Sequence, residues 1–136
     1  MPPIFEFLFV SELSPFTDPG EIASIVRVSR ANSVANGLTG VLIFDGLRFC
    51  QLMEGPEAVV RQEAAKIAVD SRHAQFLPLH LGHIDGARRF DAWHVGFLAP
   101  DGPSPLLTFD SLQGTEAINH LIALFRDREK LGIHVR

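Results

Sequence analysis

Residues 36–55 have the sequence NGLTGVLIFDGLRFCQLMEG and predict a β-hairpin around which the rest of the chain is arranged. Asp45-Gly46 is a strong signal for a two-residue type I′ turn, because both central residues of that turn take positive φ. The segments on either side are rich in Val, Ile, Leu and Phe, as strands are. A two-residue loop fixes the register and pairs Phe44 with Leu47, Leu42 with Phe49, and Gly40 with Gln51.

One polar side chain interrupts the apolar face of this hairpin. Because side chains alternate along a strand, Gln51 shares one face with Leu42 and Phe49. Its predicted neighbour across the hairpin, Gly40, has no side chain. A buried amide needs hydrogen-bond partners. Gln51 either bonds to neighbouring backbone or water, which the hairpin alone favours, or binds the edge of a flat polar ligand that lies over Gly40.

The composition limits the classes of protein to consider. The chain has 136 residues, enough for one domain with a sizeable core, and is 46% hydrophobic. Its net charge of −4 gives no reason to expect a nucleic-acid partner. No apolar run reaches the length of a membrane span, and the N-terminus lacks the basic region of a signal peptide. The single cysteine, Cys50, excludes an internal disulfide and fits a reducing cytoplasm, where we expect the protein to act.

The segments around the hairpin predict an α+β sandwich. A strand at 4–11 has apolar residues on both faces, which indicates a central position. A helix begins at Asp18-Pro19 and runs to about residue 35. After the hairpin come a second helix at 57–70, a strand at 76–84 whose Pro78 places it at an edge or bulge, and a last strand at 93–98. This order predicts a ferredoxin-like fold, with a five-stranded mixed sheet and two helices on one face.

The C-terminal part of the chain predicts a helical extension. Residues 100–103, PDGP, form a short linker, so we divide the chain into a first domain at 1–98 and an extension at 99–136. An amphipathic helix at 115–130 has one apolar stripe, made of Ile118, Leu121, Ile122 and Phe125. This stripe packs either on the otherwise exposed sheet face or on a partner subunit, and it leads us to expect a homodimer or higher oligomer.

Polar side chains end the apolar stripe of the first helix. Ser29, Asn32 and Ser33 continue the line that Ile22 and Ile25 begin. They indicate either fraying into solvent near the helix end or a small polar pocket between helix and sheet, and the periodicity does not decide between the two.

No arrangement typical of a metal site or an enzyme is found in the sequence. His80 and His83 do not share a strand face, so they make a poor metal pair. Cys50 points to the face opposite Gln51, which gives little support to a Cys-His nucleophile. The glycine-rich phosphate loops are absent. We therefore expect neither a metal site nor enzymatic activity.

Four segments, taken in chain order, resemble the BLUF domain, the blue-light sensor that uses flavin. They are SRANSVANGLTG at 29–40, FCQLMEG at 49–55, DSRH at 70–73 and RFDAW at 89–93. The resemblance spans about residues 4–98 and implies the same sandwich. It also implies that FAD lies between the two helices, with its ring edge over Gln51.

The resemblance implies roles for individual residues. Asn32 matches the family's first asparagine, at the polar edge of the flavin, and Gln51 matches the glutamine beside flavin N5. The residues expected to contact the cofactor are Phe9, Ser11, Ile25, Ser29, Asn32, Ser33, Phe49, Gln51, Lys66, Ile67, Asp70, His73 and Trp93.

Four positions depart from the family's pattern. Phe9 stands where the family has its photoactive tyrosine, and the chain contains no tyrosine at all. Ser33 replaces a second asparagine, Lys66 an arginine near the phosphate, and Val95 a methionine. Lys66 keeps the charge but loses the bidentate fork of arginine. Together the last three predict that FAD binding is weakened by about one to two orders of magnitude or lost, at about 1.4 kcal/mol per decade.

Two functions from different classes follow from this pattern. The first is a flavin-binding regulatory domain that signals through contacts with a downstream protein, with a doubtful light response because of Phe9. The alternative is a flavin-free domain of the same fold that serves as a dimerisation or interaction module. A small enzyme has the least support, because no nucleophile–base pair is present.

Overall fold

The computed structural model describes residues 3–98 and 103–135. These residues form one mixed sheet and three α-helices. The strands are β1 (Ile4–Leu13), β2 (Thr39–Phe44), β3 (Arg48–Gly55), β4 (His73–Ile84), β5 (Trp93–Leu98) and β6 (Ile133–Val135). The helices are α1 (Ile22–Ala35), α2 (Glu57–Ala68) and α3 (Gly114–Arg126), and 3₁₀ turns at Pro19–Glu21 and Pro105–Ser111 precede α1 and α3.

The sheet has the strand order β4-β1-β3-β2-β5-β6. The β2–β5 pair is parallel and the other neighbours are antiparallel. The predicted α+β fold with a mixed sheet is therefore confirmed, and β1 is central as expected. The sheet has six strands rather than five, because the C-terminal part of the chain adds β6 to the edge of β5.

Two apolar clusters lie on opposite faces of this sheet. On one face, α1 and α2 cover a cluster that includes Phe7, Phe9 and Leu42. On the other face, α3 covers a cluster that includes Leu8, Val41 and Leu52. Alternation along the strands sends neighbouring residues to opposite clusters, which explains why β1 is apolar on both sides.

The apolar stripe of α3 packs on the chain's own sheet. Ile118 and Leu121 are buried in the second cluster, and Ile122 and Phe125 pack against it. The stripe was predicted to pack either on the sheet or on a partner subunit, and in the structure it packs on the sheet. The expected homodimer or higher oligomer stays a prediction, and most of this stripe is already covered by the sheet. Of the predicted linker, residues 100–102 lie outside the described part of the chain.

The predicted register of the hairpin is wrong by two residues. Phe44 pairs with Phe49, Leu42 with Gln51, and Gly40 with Met53. The cause is Asp45, whose Oδ1 accepts hydrogen bonds from the backbone N–H groups of Leu47 at 2.9 Å and Arg48 at 2.6 Å. This Asx-type turn lengthens the loop to residues 45–47 and replaces the two-residue type I′ turn. Because the shift is an even number, Gln51 keeps its predicted face.

Gly40 is needed for close packing, and it does not form a platform for a ligand. Its φ of 146° and a Cβ that would overlap the Leu52 carbonyl oxygen both exclude a side chain at this position. That Cβ would also lie 3.2 Å from Cζ3 of Trp93, so the indole ring occupies the space above the glycine. The predicted ligand position over Gly40 is therefore wrong.

The edge strand β4 has the irregularity predicted from Pro78. Its register against β1 shifts between Leu8 and Phe9, and again between Val10 and Glu12. Gln75 takes a φ of 52° at the second shift, the one positive value among the described non-glycine residues. These bulges place His73, at the start of β4, beside Ser11 of β1.

Candidate functional site

A cleft between α1 and α2, on the sheet face that these helices cover, brings together most of the predicted site residues. Ten of the thirteen line it: Ile25, Ser29, Asn32, Ser33, Phe49, Gln51, Lys66, Ile67, Asp70 and His73. Helix α1 contributes Ile25, Ser29, Asn32 and Ser33, and β3 contributes Phe49 and Gln51. The remaining four come from α2, the turn after it and the start of β4.

The other three predicted residues lie beside the cleft and not on its surface. Phe9 is fully buried and pairs with Gln51 across the β1–β3 ladder. Ser11 is buried, and its Oγ lies 2.8 Å from Nδ1 of the cleft residue His73. Trp93 is buried against Gly40, and its Nε1 has no hydrogen-bond partner among the described residues.

The side chain of Gln51 is buried without its full set of hydrogen bonds. Only 2% of the residue is exposed. Nε2 is buried and finds no hydrogen-bond partner in the described part of the chain. Its neighbours across the two ladders, Leu42 and Phe9, have no polar side-chain atoms to offer. A buried donor left unpaired costs about 1–3 kcal/mol, so Gln51 presents an unused donor to whatever enters the cleft.

The polar end of α1 belongs to the cleft. The helix continues to Ala35, and the N–H of Asn36 donates to the Asn32 carbonyl at 3.1 Å. Ser33 is buried, and its carbonyl accepts from the N–H of Leu38 at 2.8 Å. Fraying of the helix end is therefore excluded as the reason for these polar residues. The alternative, a polar pocket between helix and sheet, agrees with their position.

The charges at the cleft are arranged in two ion pairs. Lys66 Nζ lies 3.0 Å from Oε1 of Glu63, and Arg72 Nη2 lies 2.7 Å from Oδ2 of Asp70. The hydrogen bond from Arg72 holds the pKa of the Asp70 carboxyl below its usual value. Burial lowers the pKa of His73, so its imidazole is neutral at neutral pH.

Sequence reasoning missed several residues of the cleft. Glu63 and Arg72 line it beside the apolar side chains of Val28, Leu42 and Met53. Arg72 lies in the DSRH segment and could have been found from it. Glu63 gave no such signal, because helical periodicity places it at the margin of the apolar stripe of α2. It is nevertheless buried.

The cleft is narrow as it stands. It encloses about 90 Å³, whereas small-molecule sites typically enclose about 300–1,000 Å³. Its rim carries long or exposed side chains, among them Asn32 and Lys66. Entry of a ligand with several rings therefore requires the rim side chains or the two helices to move apart.

The model of one protein family, described as sensors of blue light using FAD, matches residues 4–96. The chain belongs to the BLUF family. This match covers the sheet from β1 into β5 together with both helices of the cleft. It confirms the resemblance found in the sequence and makes the chain a sensory domain of a flavin-using family.

Known proteins similar to this BLUF domain include an antirepressor and proteins of solved structure. The blue light- and temperature-regulated antirepressor BluF of Escherichia coli K12 is 34% identical over 70 residues, which are 52% of this chain and 17% of that protein. The dark-state structure of the BLUF protein BlrB superposes with a TM-score of 0.71 at 28% identity, covering 89% of this chain and 93% of BlrB. BlrP1 of Klebsiella pneumoniae, solved with FMN and cyclic diGMP, has a TM-score of 0.62 at 26% identity, over 71% of this chain and 26% of BlrP1.

The chain thus spans nearly the whole of BlrB but a small part of the E. coli relative. In relatives such as BlrP1 the matching region is one part of a longer protein. Among the described residues, no helix is long and apolar enough to cross a membrane.

The residues of the cleft fit the chemistry of a flavin ring system. Gln51 offers a buried donor without a partner. Ile25, Phe49 and Ile67 supply apolar walls, and Asn32 adds a side-chain amide at the rim. A flat heteroaromatic ring with acceptor atoms on its edge would accept a hydrogen bond from Gln51 and pack against the apolar walls.

Proposed function

We propose that this BLUF domain binds FAD in the cleft between α1 and α2 and acts as a sensory domain that signals through contacts with another protein. The observation that carries the proposal is the buried Gln51 amide with its unpaired Nε2 at the cleft. A protein without a ligand for this site would gain stability from an apolar residue there, so the amide indicates a ligand.

We infer the following division of roles among the residues of the cleft. Gln51 and Asn32 hydrogen-bond the polar edge of the ring, and Ile25, Phe49 and Ile67 pack against its faces. Lys66, whose side chain is 59% exposed at the rim, lies near the phosphates. The bound flavin would supply absorption of blue light, and Phe9 supplies no proton because its side chain has no O–H.

The FAD proposal predicts opposite effects of Gln51→Leu on binding and on stability. FAD affinity should fall by about tenfold, since losing one or two hydrogen bonds costs about 1–2 kcal/mol. The FAD-free variant should unfold at a higher urea concentration, because the substitution removes a buried donor that has no partner. Fluorescence titration with FAD and urea unfolding of the FAD-free protein measure the two effects.

Gln62→Leu is the matched control for this experiment. Gln62 is exposed on α2 outside the cleft, so its replacement should change neither quantity. The absorption spectrum of the freshly purified protein gives the first test, and flavin bands support the proposal. A protein that is colourless, and is again colourless after incubation with FAD and removal of unbound FAD, would contradict it and would favour the flavin-free interaction module.

A further inference from the structure

Glu63 is a buried carboxylate in the wall of the cleft. It lies on α2, three residues before Lys66, and only 9% of its side chain is exposed. Its partner Lys66 has 59% of its side chain exposed, with 3.0 Å between Nζ and Oε1. Water therefore screens the ammonium much more than the carboxylate. Both side chains line the cleft, and the carboxylate is the less hydrated end of the pair.

The other titratable groups that line the cleft add no net charge. Asp70 and Arg72 form a pair whose two side chains are about equally exposed, at 26% and 30%. His73 is neutral at neutral pH, since burial lowers its pKa. Val28, Leu42 and Met53 on the remaining walls carry no charge. A negative charge placed in the cleft would therefore be repelled by the Glu63 carboxylate, while water weakens the attraction of the exposed Lys66 ammonium.

We propose that Glu63 makes the cleft select neutral flavin over flavin with a negatively charged ring, so that bound flavin is held in its oxidised form. This inference rests on the proposed binding of flavin. Oxidised flavin has a neutral ring. Taking up two electrons and one proton leaves the reduced ring with one negative charge, whereas two electrons and two protons leave it neutral. A nearby like charge disfavours the first product.

The test is the reduction potential of the FAD-loaded protein, measured by titration with dithionite as the electron donor and a reference dye. Glu63→Gln keeps the shape and removes the charge, and Lys66 stays hydrated because it is exposed. We expect at least a tenfold shift of the equilibrium toward reduced flavin, a rise of about 30 mV for a two-electron couple. Glu57→Gln is the control, because it removes the same charge from the first turn of α2, where Glu57 bonds Arg61.

A second measurement does not depend on the variant being well folded. The unmodified protein should bind oxidised FAD at least tenfold more tightly than FAD reduced beforehand with dithionite. Equal affinities for the two forms, or an unchanged potential in Glu63→Gln with FAD bound, would overturn this inference and leave the proposed function intact. Absence of FAD binding in every form of the protein would overturn the proposed function and this inference with it.

Discussion

Blue light should produce no lasting red shift in the absorption spectrum of the FAD-loaded protein. Phe9 occupies the position of the family's photoactive tyrosine and lies directly across the ladder from Gln51. Its side chain can neither hydrogen-bond the Gln51 amide nor release a proton. The chain has no tyrosine elsewhere to take over this role. Trp93 does not line the cleft, and its indole N–H is a donor only, so it is a poor source of a proton.

Restoring the phenol should restore part of the response. Phe9→Tyr adds one hydroxyl beside Gln51, and we expect a red-shifted state that forms in light and decays in darkness. The gain should be partial, because Phe9 is fully buried with its ring centroid 4.6 Å from that of Phe76. The added oxygen must displace part of this packing.

Phe7→Tyr is a matched control for the phenol. Phe7 lies two residues away on the same face of β1, contacts Phe9, and pairs with Met53 instead of Gln51. The Phe7→Tyr variant should therefore carry a phenol and still show no light response. Absorption spectra of the three FAD-loaded proteins, recorded before and after illumination, measure the light response. A stable red-shifted state in the unmodified protein would show that the role inferred for Phe9 is wrong.

The sequence predicted the site better than it predicted the turn beside it. Asp45-Gly46 has the pattern of a two-residue turn, but the Asp45 carboxylate accepts two backbone N–H groups and forms a longer loop. Local side-chain bonding of this kind competes with standard turns and leaves little trace in hydrophobic patterning. The register error did not move Gln51 out of the cleft, because side chains on a strand repeat every two residues.

Features that depend on tertiary contacts could not be predicted in this way. Glu63 is buried in the wall of the cleft, whereas a glutamate in a helical pattern normally predicts solvent exposure. The strand β6 has three residues, too few for an alternating pattern to be distinguished from a loop. Seven of the ten predicted cleft residues lie in the segments that carry the family resemblance, whereas these features follow from packing alone.

Replacing one apolar residue of α3 should cost a large part of the protein's stability. We propose that the segment after residue 98 is an extension that completes the core of the sheet. Leu121 is fully buried, in the same cluster as Leu8, Val41 and Leu52. Leu121→Ala should lower the free energy of unfolding by about 2–5 kcal/mol, as buried leucine-to-alanine changes do. Domains are typically stable by about 5–15 kcal/mol, so this loss is a substantial fraction.

Urea unfolding measures this loss, and Asn119→Ala, an exposed substitution on the same helix, is the control. The cleft lies on the opposite face of the sheet from α3. The folded Leu121→Ala protein should therefore bind FAD as tightly as the unmodified protein does. Equal unfolding midpoints for Leu121→Ala and Asn119→Ala would contradict the proposed role of the extension. A fall in FAD affinity without a fall in stability would instead show that α3 acts on the cleft through the sheet, because α3 supplies none of the described residues that line the cleft.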